Sequence, residues 1–113
     1  MNRREMGARY EYLAEEWLRV QGLEILARNF RSRSGEIDLI ARDGQTIVFV
    51  EVKYRSSSSS GDPEEAVGWQ KQNRIRNTAR YYLYRNRYGE ETRCRFDVVA
   101  ILGSEIRWIR NAF

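Results

Sequence analysis

Histidine is absent from the 113 residues, and cysteine occurs once, at Cys94. The first absence removes the imidazole ligands on which most zinc sites draw, and a lone thiol closes no intrachain disulfide. Any metal bound here is expected to be a hard, oxygen-preferring cation. Lysine is nearly as scarce, since of 20 basic residues only Lys53 and Lys71 are lysines. No apolar run approaches the ~20 residues that a membrane-spanning helix needs, and residues 1–10 are too charged for a signal-peptide core. A cytoplasmic protein without a membrane partner is expected.

Hydrophobic residues make up 42% and charged residues 32% of the chain, a balance that fits a folded domain and excludes general disorder. The length provides one core, so residues 1–113 are expected to form a single domain carrying both fold and function. A net charge of +4 and a pI near 9.5 favour a polyanionic partner, because neutralising phosphates releases counterions. An arginine skew has other sources, genomic base composition and heat stability among them.

Apolar residues Met6, Tyr10, Leu13, Ala14, Trp17 and Leu18 recur at spacings of three and four, which predicts an amphipathic helix over residues 3–21 with Gly22 at its end. Residues 23–30 read as a strand ending in the basic turn 31–35. Residues 36–42 and 46–55 read as strands joined at Asp43-Gly44, completing an antiparallel meander. Five serines at 56–60, followed by Gly61, are expected to form a mobile loop over 56–61, either a plain linker or a flap beside a site. Asp62-Pro63-Glu64-Glu65 carries a capping residue, a first-turn proline and first-turn acids, so a second helix is predicted to run from there to Tyr88, with Gly89 as its stop. Strands over 95–102 and 105–109 follow. A helix between the strands 46–55 and 95–102 permits a crossover that sets them parallel, giving an α/β fold with a mixed sheet.

Residues 47, 49, 51 and 53 share one face of their strand, which points Glu51 and Lys53 the same way. On the preceding strand Asp38 shares a face with Glu36 and Ile40, with Ile37 and Leu39 pointing away. Pairing Arg42 with Gln45 or Thr46 sets Asp38 near the level of Val50, within one residue of Glu51. Two carboxylates then approach each other, and either a divalent cation or a shared proton relieves their repulsion. The plain alternative is an ion pair between Glu51 and Lys53 with Asp38 bonded to the lysine.

Asp38, twelve residues and then Glu51-Val52-Lys53 resemble the PD-(D/E)XK nuclease signature, with Ile37-Asp38 in the place of its Pro-Asp. Further segments resemble the YraN-like family of nuclease-like bacterial proteins, related to archaeal Holliday-junction resolvases. These are Gly7, Glu11 and Ala14, Arg28-Asn29, residues 35–41, residues 48–53, Lys71, residues 96–99 and the ending Asn111-Ala112-Phe113. Tyr10 departs from the family pattern, which commonly has glycine there.

The resemblance implies a restriction-endonuclease-like fold and metal-dependent hydrolysis of phosphodiesters in DNA, including branched or structured DNA. Asp38 and Glu51, with the Val52 carbonyl, would ligate Mg²⁺ or Mn²⁺, while Lys53 would orient or deprotonate the attacking water. Glu11 would reach the metal or its water, and Lys71 the scissile phosphate. Both have plainer readings, as a solvated helix acid and a snorkelling lysine. Resolvase relatives pair to cut two strands, so a homodimer is compatible with the resemblance. A non-cleaving nucleic-acid-binding module within a repair or recombination complex is the rival reading.

Arg31, Arg33 and Arg55 flank the proposed site and are the candidates for phosphate contact. Arg74, Arg76, Arg80, Arg85 and Arg87 form either a wider basic stripe or a solvated helix side. Asp97 reads as a structural acid bonded to an arginine or a turn. Most of the Trp and Tyr rings read as core rather than as base-stacking platforms.

Overall fold

The computed structural model describes residues 2–55 and 67–113. Asn2 opens helix α1 (Arg3–Val20) by accepting the Glu5 N–H on its side chain at 2.9 Å, an N-cap that satisfies a donor the first turn leaves free. The helix closes at Gly22, with Leu23 N–H donating to the Leu18 carbonyl at 3.1 Å and Gly22 N–H to that of Arg19 at 3.0 Å. Its buried stripe is centred on Ala14 and Leu18. Leu13, expected on that face, lies about 100° around the axis from Ala14 and is largely exposed.

Strands β1 (Glu24–Arg31), β2 (Glu36–Asp43), β3 (Thr46–Arg55), β4 (Cys94–Leu102) and β5 (Glu105–Ile109) form one sheet in the order β1-β2-β3-β4-β5. Only the β3–β4 pair is parallel, as the crossover requires, so the mixed α/β sheet read from the sequence is the one observed. Helix α2 (Trp69–Arg85) lies in that crossover. Its Ile75, Ala79 and Tyr82 pack on Ile40, Ile47, Phe49 and Val98. On the other side of the sheet, Ala14 and Leu18 of α1 pack on Leu39, Ala41, Val48, Val50 and Val99. No helix among the described residues is long and apolar enough to cross a membrane.

The β2–β3 turn differs by one step from the expected one. Gly44 takes a left-handed conformation (φ 62°) at the first of two turn positions, which suits a glycine-first hairpin turn. The loop is therefore Gly44-Gln45, leaving Asp43 in the ladder opposite Thr46 and Arg42 opposite Ile47. This moves the whole hairpin one residue along from an Arg42–Thr46 pairing.

The capping sequence 62–65 and the serine loop 56–61 lie outside the described residues. Within them, α2 is shorter than the sequence pattern predicts. Gly68 is extended (φ −69°, ψ 162°) and holds the helix start at Trp69, while Val67 turns its side chain into the core and accepts from Gln72 Nε2 at 2.9 Å. At the far end Arg87 adopts φ 61°, and Tyr88 N–H bonds the Leu83 carbonyl at 2.9 Å. That closure ends the helix at Arg85, ahead of Gly89.

Two buried acids tie the layers together. Asp97 is wholly buried and accepts from Arg95 Nε, from Trp108 Nε1 at 2.9 Å and from Asn111 N–H at 3.1 Å. It is the structural acid the sequence suggested. Glu15, on α1, is buried against β1, where it bonds Arg28 and also Arg19 at 3.2 Å. The Arg28 bond holds the Glu15 carboxyl below the usual carboxylate range against the opposing effect of burial. A carboxylate with a lowered native pKa contributes stability above its unfolded pKa and loses that contribution as pH falls. Glu15→Ala is expected to cost about 1–3 kcal/mol in urea unfolding at pH 7 and less below pH ~4, since charge-assisted bonds are lost. An unchanged urea midpoint at pH 7 would contradict this role.

Candidate active site

The register of β2 and β3 builds the site. With Leu39 opposite Val50, the next step of the ladder brings Asp38 level with Glu51, closer than the level of Val50 expected from the sequence. At that step the regular ladder gives way to a side-chain bond, Val52 N–H donating to Asp38 Oδ2 at 2.8 Å. A local irregularity accompanies it. Asn29, between the β1–β2 pairs Arg28–Leu39 and Phe30–Ile37, is left-handed at φ 49°. Simple alternation placed Ile37 with Leu39, on the face away from Ile40. In the structure Ile37 and Ile40 pack in the α2-side core and Leu39 in the α1-side core. The distorted Asn29 pairing interrupts the period-two pattern at Asp38.

Glu51 is buried on the α2 side of the sheet, where two ammonium groups meet it. Lys71 Nζ, from the first turns of α2, lies 2.5 Å from Glu51 Oε1, and Lys53 Nζ lies 3.7 Å from the same oxygen. Burial, then the neighbouring Lys71, press the Lys53 ammonium below the ordinary lysine range. Burial is the largest single influence on Lys71 and opposes its charge, but the bond to Glu51, the Glu51 charge, and the smaller effects of Lys53 and Asp38 together carry that group upward. Among the described residues Asp38 has no ion pair of its own, and the Lys71 charge offsets its burial only in part. Burial and the facing charge of Glu51 push its carboxyl up to about 8, against the stabilising Val52 bond.

Glu11 of α1 lies near Asp38, and burial followed by the Glu36 charge raises its pKa. Asn29 joins the acids. With its amide nitrogen turned toward them it donates to Glu11 Oε1 at 2.9 Å and to Glu36 Oε1 at 3.1 Å. Thus Asp38, Glu51 and Lys53, read from the sequence as one constellation, converge with the candidates Lys71 and Glu11. A cleft of about 220 Å³ opens on Gly35, Glu36, Asp38, Glu51, Lys71 and Arg74.

Residues 10–101 match the uncharacterised protein family UPF0102. The chain belongs to this family. It is 56% identical over 113 residues to a UPF0102 protein of Lachnoclostridium phytofermentans, covering 100% of this chain and 96% of that protein. A UPF0102 protein of Aliivibrio fischeri is 49% identical over 114 aligned positions, covering 98% and 93% of the two chains. UPF0102 protein YraN of Salmonella agona is 46% identical, covering 100% of this chain and 87% of its own.

In this UPF0102 chain the phosphate-contact candidates are divided. Arg31 is exposed and pairs with Glu36 at 3.6 Å, beside the acids. Arg33 lines a separate cavity with Tyr81, which Arg31 also borders. Arg55 lies two residues beyond Lys53 and donates to the Tyr54 carbonyl at 3.0 Å. Tyr54 stacks on Tyr10 with ring centroids 3.8 Å apart, so Tyr10 fastens α1 to β3 beside Lys53. The arginine stripe of α2 also splits, with Arg74 in the acid cleft and Arg76 over the rings of Phe96 and Phe113 at 5.7 and 5.4 Å.

Sequence reasoning passed over Asn29 and Arg74 as site residues. Asn29 lies opposite Asp38 in β1 but stands among Glu24, Arg28 and Arg31, so its polarity alone did not mark it. Arg74, three residues after Lys71, shares its side of the helix.

Because Asp38 holds its proton when folded up to about pH 8, while an unfolded aspartate releases it near pH 4, metal-free stability is expected to fall across that window. Asp38→Asn keeps an acceptor for the Val52 N–H and removes the facing charge. In chelator at pH 9 it is expected to be more stable than the parent by roughly 1–3 kcal/mol in urea unfolding, with a flatter pH profile. A less stable Asn variant at pH 9 would contradict the repulsion.

Proposed function

We propose that this UPF0102 protein hydrolyses phosphodiester bonds in DNA, including branched or structured DNA, with Mg²⁺ or Mn²⁺ as cofactor. The observation that carries the reading is the placement of Asp38 level with Glu51 on adjacent strands, with two lysines gathered on the same cleft. The donor set fits a hard divalent ion. Two carboxylates face each other, Asp38 has no ion pair of its own among the described residues, and neither histidine nor a nearby thiol competes. Among the described residues no three His, Cys, Asp or Glu side chains gather closely enough to enclose an ion. Asp38, Glu51 and the Val52 carbonyl would therefore hold it together with water and substrate phosphate, as suits Mg²⁺. When bound, the ion would polarise a phosphoryl oxygen and lower the pKa of a ligated water.

The remaining chemistry falls to the chain's own groups. The lowered pKa of Lys53 eases loss of its proton, so its neutral amine can take one from the attacking water. Lys71, kept charged by Glu51, is suited to balance negative charge growing on the phosphate. Glu11, held by Asn29, would orient water at Asp38. Arg31 and Arg74 border the acids and would retain the flanking phosphates.

One observation favours the rival reading of a binding module that does not cleave. Lys71 already neutralises Glu51 at 2.5 Å, so the cluster has a cation of its own. Incubation with single-stranded, duplex and four-way-junction DNA in Mn²⁺, Mg²⁺ or chelator separates the two. The hydrolase reading expects metal-dependent cleavage that Asp38→Ala and Glu51→Ala each reduce at least about 100-fold while binding persists. Binding without cleavage in every metal would favour the module, and neither would overturn both.

A further inference from the structure

The acid cleft does not stand alone along α2. Lys71, Arg74, Thr78, Tyr81 and Arg85 recur at spacings of three and four and so form one edge of the helix. The β1–β2 connection runs beside that edge. Ser32 Oγ lies 2.9 Å from Thr78 Oγ1, and a Cβ placed on Gly35 would sit 3.4 Å from Arg74 Cβ. Gly35 and Glu36 border the acid cleft, whereas Arg31 to Ser34 border a second cavity of about 350 Å³, closed on the helix side by Tyr81. One short connection and one helix edge therefore line two adjoining depressions. Their helix anchors, Lys71 and Tyr81, stand about 15 Å apart along the axis at 1.5 Å per residue.

The second cavity is built from groups suited to a nucleotide. Its connection is braced internally, with Ser32 N–H bonded to the Gly35 carbonyl at 2.8 Å and Ser34 N–H to Ser32 Oγ at 3.1 Å. Arg31 and Arg33 thus extend from a fixed turn, both exposed. Tyr81 is 43% exposed, and its ring leans on Phe30 with centroids 6.0 Å apart, so one side is backed by the core. A backed ring flanked by two guanidinium groups offers a stacking face and phosphate contacts together. The volume lies at the lower end of the roughly 300–1,000 Å³ of single-ligand pockets, which suits one nucleotide rather than a paired helical segment. A base inside a duplex keeps both faces stacked and presents none to such a ring.

We infer that the Tyr81 cavity is a subsite for an unpaired nucleotide, a few positions along the strand from the phosphate at Asp38 and Glu51, and that the substrate is single-stranded where it crosses α2. The inference rests on the proposed handling of nucleic acid by this cleft and narrows its substrate class. DNA and RNA strands share the required chemistry.

Fluorescence anisotropy in chelator tests it, using labelled oligothymidylate, oligouridylate and a blunt DNA duplex. Tyr81→Ala is expected to raise the Kd for a single strand about tenfold, leave the duplex within about twofold, and be rescued by Tyr81→Phe. Tyr81→Leu, which retains apolar contact with Phe30, should behave as the Ala variant does and guards against a folding defect. Whichever oligomer shows the loss identifies the sugar, and loss on both assigns the site to either strand. No single-strand binding, equal loss on duplex and single strand, or no loss from either Tyr81 variant overturns the subsite. Because the readout is binding without metal, absence of cleavage would sink the hydrolase reading and leave this result standing.

Discussion

The repulsion between two carboxylates held level by a hairpin is the constraint around which the rest of the site is arranged. Gly44 fixes the turn, the turn fixes the register, and the register brings Asp38 beside Glu51. Neither acid can withdraw, since Glu51 sits in a strand paired on both sides and Asp38 is bonded to the Val52 N–H. Charge must therefore come from elsewhere. Lys53 supplies it from the same strand and Lys71 from α2, and the facing Asp38 takes up a proton. The only two lysines of the chain meet on this one carboxylate. Arginine occupies the other basic positions, some structural and some facing solvent.

Most of the architecture could be read before any coordinates. Strand β3 has its expected ends, 46–55, because β-branched and aromatic residues alternate there between two apolar faces until the charged pair begins. The parallel β3–β4 pair followed from the length of the intervening segment. Five candidate residues were named from their types, strand positions and the family resemblance, and they lie in one cluster.

What could not be read has specific causes. A strong local cap at 62–65 outweighed the weak signal of Val67-Gly68, where a buried valine and an extended glycine hold the described helix to a later start. The faces of Ile37 and Leu39 depended on a left-handed asparagine in a different strand, which periodicity within β2 cannot register. Glu15 reads as one of two adjacent helix acids, and the arrival of Arg28 from β1, beside Arg19 of its own helix, makes its burial tolerable. In the last two cases a partner distant in sequence decides the outcome, while the local pattern is silent.

Soaking crystals with Mn²⁺ and computing an anomalous difference map tests the central claim most directly. Shared use of one hard ion by the two facing acids predicts a peak between the carboxylates of Asp38 and Glu51, with Lys71 displaced from its contact. At saturating Mn²⁺, an empty map at that position with Lys71 still seated on Glu51 would contradict the account.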